Sequence, residues 1–331
     1  MPVMVNACLM SAPPKVRCRR IEDADADSVV SLLTRGFASR RTRRFWEHVI
    51  AALGRRAVPA DAPKYGYLLE NDGTAVGAIL QIFSIQHAAA RDAGERATTR
   101  CNVSSWYVDP AFRSYAPFLV SQALKQKGVT YLNITSVPHT RPIVEAQGYL
   151  RYSNGIFVSL PFLSRAPAGF DVRVITADTQ PQALFEPHER DLLKDHAGFG
   201  CISLWCEAAG RAYPFVFRER RVKGLITCAQ LVYCRDIEDL VRFARPLGMF
   251  LLPRGLPLVI LDANGHVRGL VGKYFDQTMP KYFKGPAPPG WAISPTRKRR
   301  CSGCSRHAPK AWARISISAH SRGSGSLSSR P

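Results

Sequence analysis

Residues 108–118 read Val-Asp-Pro-Ala-Phe-Arg-Ser-Tyr-Ala-Pro-Phe. They follow a β-prone run, residues 102–108, and lead into a helical pattern over residues 117–128. A strand, a tight basic turn and a helix N-terminus make an anion site, because free backbone N–H groups and the helix dipole converge there. The chemistry this predicts is the gripping of a phosphate-bearing cofactor, with Arg113 as the cation. Arg113 also reads as a solvated residue on an ordinary strand–helix turn. Ser104 lies on the same strand, and Ser136 and His139 close the next one, residues 129–136. An imidazole that titrates near neutral pH suits His139 to work as a base, although lone loop histidines are often merely solvated. Cys301, Cys304 and His307 make half of a zinc site. Tetrahedral zinc needs a fourth ligand and no second pair stands at a ribbon-like spacing, so these read as loose thiols and no metal is expected.

The elements that must hold these groups are legible in the periodicity. Residues 15–20 alternate as a first strand. An acidic stretch, residues 22–27, then suits a helix N-terminus, and Val29, Val30, Leu33 and Phe37 fall on one helical face. A second helix presents Phe45, Trp46, Val49, Ile50 and Leu53, and Pro59 and Pro63 end it. Two β-rich runs meet at Asn71-Asp72-Gly73, a hairpin turn. A polar loop covers residues 86–100. After the strand, turn and helix comes another strand, then a short helix ending at Gly148. A final hairpin is expected over residues 149–162, turning at Asn154-Gly155.

This order, with the residues at its joints, resembles the GNAT superfamily of acyl-CoA N-acyltransferases over about residues 15–163. Val108, Pro110 and Arg113 stand in register with the family's V-x-P-x-x-R-G-x-G-x-G segment, and Glu145, Gly148 and Tyr149 with its E-K-x-G-F. The resemblance implies an α/β (α+β) fold, a mixed sheet flanked by helices. It also implies acetyl-CoA or another acyl-CoA as co-substrate, lying between two splaying parallel strands. Trp106, Tyr107 and Val108 would line the pantetheine arm, and Arg113, Ser114, Tyr115, Ala116 and Phe118 the phosphates. Three glycines of the family are replaced, by Ser114, Ala116 and Phe118, and Pro117 removes an amide donor. A lost hydrogen bond to a charged group costs about 1.5–3 kcal/mol, or one to two decades of affinity. The tyrosine that often serves the family as proton donor, four residues before its Gly-Phe pair, is Val144 here. That leaves His139, Ser136 and Ser104 as catalytic candidates.

Beyond Pro167 a strand–helix–strand pattern recurs about 126 residues downstream of the first, Tyr233 falling where Tyr107 did. A period of that length implies a duplicated domain; a generic α/β unit is the plainer alternative. The helix of this copy is expected as one piece over residues 235–251, and its joint carries Asp236, Glu238 and Asp239, which would repel a pyrophosphate. The organisation expected is a flexible leader at 1–14, an acyl-CoA-binding domain at 15–165, a second, smaller GNAT-like α/β domain at 166–290 and a disordered basic tail at 291–331. The tail has no periodicity and begins where a repeat would still need closing strands.

The formal charge is +21 over 331 residues, yet nine of the cations and no carboxylate fall in residues 291–331, leaving +12 spread among acids. Such a tail attracts any polyanion weakly and defines no specific nucleic-acid partner. Nine scattered cysteines form no disulfide framework. No apolar run approaches the ~20 residues of a membrane span, and the N-terminus lacks a secretory pattern, so a cytoplasmic protein with no membrane partner is expected. The activity these readings point to is transfer of an acyl group to an amine on a small molecule or protein. The alternative is a catalytically inactive GNAT-like scaffold that binds a ligand or partner.

Overall fold

The structure is a computed structural model that describes residues 15–38, 41–86, 98–165, 169–176, 178–179, 185, 187–222 and 226–286. The expected leader at 1–14, the tail at 291–331 and the Cys301–His307 thiols therefore lie outside the described residues. The chain divides into two compact units: residues 1–82 with 103–126, and residues 83–102 with 127–331.

The first unit begins with β1 (Val16–Arg20), α1 (Ala26–Gly36) and α2 (Arg43–Gly54). Ahead of α1, Glu22 and Asp25 form a reciprocal capping box, the Glu22 amide donating to Asp25 Oδ2 at 2.9 Å. Thr42 caps α2 by accepting from the Phe45 amide. The inner faces carry Val29, Val30, Leu32 and Leu33 on α1 and Trp46, Val49, Ile50 and Leu53 on α2. Phe37 closes on Trp46 with ring centroids 5.3 Å apart. β2 (Gly66–Asn71) pairs antiparallel with β1 and with β3 (Thr74–Gln86). The hairpin between them turns through Asp72 and Gly73 at φ 47° and 79°, the two positive angles a two-residue I′ turn requires. β4 (Thr98–Val108) comes next, its last six residues in this unit, then a 3-10 turn (Pro110–Tyr115) and α3 (Ala116–Ala123). Leu119, Val120 and Ala123 of α3 pack on Tyr67, Leu69, Val76, Ile79 and Val108 of the strands.

The second unit holds the start of β4, then β5 (Val129–Asn133), α4 (Arg141–Ala146) and β6 (Leu150–Ser159). It continues with β7 (Val172–Ile175), α5 (Pro187–Gly198), β8 (Ile202–Ala208), β9 (Arg211–Val222) and β10 (Ile226–Cys234). It ends with α6 (Ile237–Arg242), α7 (Ala244–Leu251), β11 (Val259–Ala263) and β12 (Gly272–Lys284). Its strands lie in the order β4-β5-β12-β6-β11-β10-β9-β8-β7. Two of these pairings, β4 with β5 and β10 with β11, are parallel. Alternation decides the faces. Leu204, Cys206, Phe215 and Phe217 point to α6 and α7, while Trp205 and Val216 point to Leu192 and Leu193 of α5. Helices thus flank the mixed sheet on both sides.

Three expectations are corrected. Residues 149–162 are no hairpin: β6 runs straight through Asn154 and Gly155. A Cβ on Gly155 would meet the Phe275 carbonyl oxygen at 2.2 Å, so the glycine is there for the close approach of β12. The helix expected over 235–251 is two, broken at Phe243 (φ −102°, ψ 14°). The ring of Phe243 is fully buried against Phe170, Tyr213 and Phe215. The break also places Pro246 in the first turn of α7, where no intrahelical donor is lost; inside a continuous helix it would cost about 3 kcal/mol. Lastly, the second run does have a closing strand, β12, and it pairs with β5 as Tyr282↔Asn133 to Lys284↔Tyr131. β6 in turn pairs with β11, from Val259↔Ser159 to Ala263↔Gly155. The last strand of each run lies against the parallel pair of the other.

Candidate functional site

The site expected at residues 102–118 starts where a ladder ends. β4 pairs in parallel with β5 from Thr99↔Val129 to Asn102↔Leu132, and this ladder stops six residues before β4 does. Among those last residues Ser105 has φ 52°. A non-glycine residue at positive φ inside a strand marks a bulge, costs of order 1 kcal/mol and re-aims the side chains beyond it. Sequence reasoning missed Ser105; the serine pair interrupting an apolar β-prone run was the signal. Ser104 Oγ lies 3.2 Å from Ser105 Oγ.

Beyond the bulge, side chains leave β4 on alternate faces. Trp106 and Val108 turn to the α3 cluster, and Trp106 Nε1 is buried with no acceptor among the described residues. Tyr107 turns to the end of α1, where a Cβ on Gly36 would come within 2.4 Å of its ring. Burial, and then a hydrogen bond to Asp109, raises the Tyr107 hydroxyl above its ordinary value. Asp109 is in turn paired with Arg35 at 3.0 Å. This Tyr107–Asp109–Arg35 chain fixes the strand's exit. Arg35 sits 74 positions from Asp109, which hid it from any local reading.

The turn itself is compact. Ala116 takes ordinary helical angles (φ −57°, ψ −40°), and no residue of 113–118 has positive φ, so the lost glycines leave no backbone strain. Amides at both ends of the turn are engaged internally: Phe112 N donates to Asp109 O at 2.9 Å, and Ala116 N to Arg113 O. Pro117 has none to give. The Arg113 guanidinium and Ser114 are exposed, and Phe118 points outward, 42% exposed. Tyr115 is half-buried against the α3 cluster. What the turn offers an anion is therefore one exposed guanidinium with a hydroxyl beside it.

The other catalytic candidates fall in the second unit. Ser136 comes after β5, buried, and its Oγ has no partner among the described residues. His139 is exposed on a 3-10 turn, Pro138–Thr140. No hydrogen bond joins the two among the described residues. Val144, where a proton donor would stand, is a core residue of α4. Glu145 accepts from Arg151 and from the Tyr282 hydroxyl, and both interactions hold its carboxyl below the usual range.

The matching joint of the second run is occupied otherwise. Arg235 forks onto buried Glu189 at 2.8 and 2.7 Å, and Tyr233 donates to the same carboxylate. Burial, with Asp236 adding to it, raises the Asp239 carboxyl. The joint's own arginine, Arg235, is thus committed to Glu189.

No family model matches the sequence, and no curated protein is similar to it. Solved structures are. A GCN5-related N-acetyltransferase from Anabaena variabilis aligns at TM-score 0.54 and 9% identity, over 81% of this chain and 72% of that one. The chain has the fold of the GCN5-related N-acetyltransferases. A second such protein, from Kribbella flavida, aligns at TM-score 0.51 and 13% identity over 82% of this chain and 71% of its own. An Enterococcus faecalis protein of unknown function, described as a probable N-acyltransferase, aligns at 0.52 and 9% over 81% and 72%. In this GNAT-type fold the bulged end of β4 and the basic turn stand at one place, in the first unit. No helix among the described residues is long and apolar enough to cross a membrane.

Proposed function

We propose that the chain is an acyl-CoA-dependent N-acyltransferase that passes an acyl group to an amine of a small molecule or protein. One observation carries this reading: a bulged strand, free of its parallel ladder over its last residues, delivers an exposed Arg113 to the start of α3. The backbone of Trp106–Val108 takes the pantetheine arm, and Arg113, Ser114 and Tyr115 the phosphates. The candidates for the reaction's proton handling stay Ser136, whose buried hydroxyl has no partner among the described residues, His139 as base and Ser104 as the strand's own hydroxyl. The cofactor belongs to the first run, since Arg235 is committed to Glu189. The paired strand runs read as a tandem of GNAT-like halves, 15–165 and 166–290.

A second reading, a binding scaffold without catalysis, is favoured by the turn's own chemistry. The amides of Phe112 and Ala116 are spent internally, Pro117 has none, and Val144 fills the donor position. Calorimetry with acetyl-CoA separates the two. The acyltransferase reading expects saturable binding that Arg113→Glu weakens by about one to two decades, the worth of a charged hydrogen bond. Silence with both acetyl-CoA and a long-chain acyl-CoA favours the scaffold.

A further inference from the structure

One face of the second unit's sheet carries charges that the acyl-transfer reading leaves unused. Arg218 and Arg220 stand two apart on β9, opposite Gln230 and Cys228 of β10. Gln230 stands opposite Ile260 of β11, two residues before Asp262, and Asp262 opposite Ile156 of β6. Alternate positions share a face, so all of these side chains project together. Cys228, Ile260 and Ile156 form a buried apolar floor, with Val158 and Met279 packed on it. Above the floor, the buried Lys281 of β12 hydrogen-bonds Asp262 Oδ2, and Arg218 Nη2 donates to Gln230 Oε1 at 2.6 Å.

Two groups of opposite need remain. Asp262 Oδ1 is buried with no donor among the described residues. The half-buried Arg220 makes no ion pair among the described residues, and its one hydrogen bond there is a long 3.4 Å reach to Gln230. Burial pulls the Arg220 guanidinium down, opposed by the field of Asp262, and brings Arg218 to about 10. Native structures nearly always satisfy buried polar groups, so a bare carboxylate oxygen and an under-bonded guanidinium on one face call for an outside partner. Beside them β12 bulges between Asp276 and Lys281, with Gln277 and Met279 at φ 53° and 56°. Strain of that kind collects at ligand sites.

We propose that this face binds a small carboxylate bearing an adjacent N–H or O–H donor, Arg220 forking onto the carboxylate and Asp262 Oδ1 accepting from the donor. A planar guanidinium matches a carboxylate bidentately. Asp262 sets the class: its charge opposes a multiply charged phosphate and rewards a ligand with a cationic or hydroxyl donor next to its anion, as in α-amino and α-hydroxy acids. The site is independent of acyl-CoA.

Calorimetry and thermal shift on the full chain, with L-alanine, L-lactate and acetate as probes and no thioester present, test the assignment. L-alanine or L-lactate binds saturably, at least about tenfold tighter than acetate, which has no donor. Arg220→Gln loses that binding by about tenfold or more, while Arg221→Gln, exposed on the other face of β9, keeps it. Asp262→Asn erodes the preference over acetate; since Asp262 also anchors Lys281, Arg220→Gln decides the matter if that variant does not melt cooperatively. Equal binding of acetate, no saturable binding of either donor acid at millimolar concentration, or unchanged binding by Arg220→Gln would overturn it.

Discussion

Glu70 shows how single residues hold the first unit together. It is 4% exposed near the end of β2 and accepts from Arg17 Nε at 2.9 Å and from Arg19 Nε at 2.8 Å, while Arg19 also forks onto Asp25 ahead of α1. Hydrogen bonds from Arg19 and then Arg17 lower its carboxyl below the ordinary range. A carboxyl that titrates lower folded than unfolded contributes stability above the unfolded value, about 4.3 for glutamate, and loses it as pH falls through the folded one. Glu70→Gln should therefore cost about 1–3 kcal/mol at neutral pH, the worth of charged hydrogen bonds. Its stability should also fall less than the wild type's on acidification from about pH 6 to about pH 3. Denaturant unfolding across that range measures both, and parallel curves would speak against the pairing. At this scale the sequence was readable in part. The capping acids before α1 and the apolar faces of both helices come from short-range rules. Arg35, Asp109 and the bulge at Ser105 do not, because each depends on a partner or a backbone angle that no window of residues contains.

Among the elements, β12 matters most. It closes the first run by pairing with β5, its Tyr282 hydroxyl donates to Glu145 at 3.0 Å, and Lys284 Nζ caps the end of α4 through Gln147 O at 2.7 Å. A chain ending after residue 270 leaves β5, β6 and α4 without those partners and should lose cooperative thermal unfolding. One ending after residue 286 should keep the melting curve of the full chain. Cooperative melting of residues 1–165 alone would contradict this interlocking. The same element explains the clearest misreading of the sequence. Asn-Gly between β-prone runs is a strong hairpin signal, but here Gly155 makes room for a strand more than 100 positions away. Local turn chemistry carries no information about a partner at that distance, nor about the buried ring of Phe243 that divides α6 from α7.

For the molecule as a whole, the Asp72-Gly73 hairpin, the apolar faces of α1 and α2 and the basic turn were legible because each rests on periodicity or on a short joint, while the strand order was not. The sequence resemblance and the aligned structures agree on the GNAT-type fold, though at 9–13% identity they carry fold and not substrate. The charge of +21 proved a poor guide, since so much of it lies in residues 291–331. The functional account comes down to an anion held by the turn into α3. Amide resonances followed by NMR while CoA is titrated into the full chain report on that contact directly. The account predicts saturable shifts concentrated at Trp106–Val108 and Arg113–Phe118, absent in Arg113→Glu. Shifts confined to the second-run joint at Tyr233–Asp239, or none at saturating CoA, would contradict it.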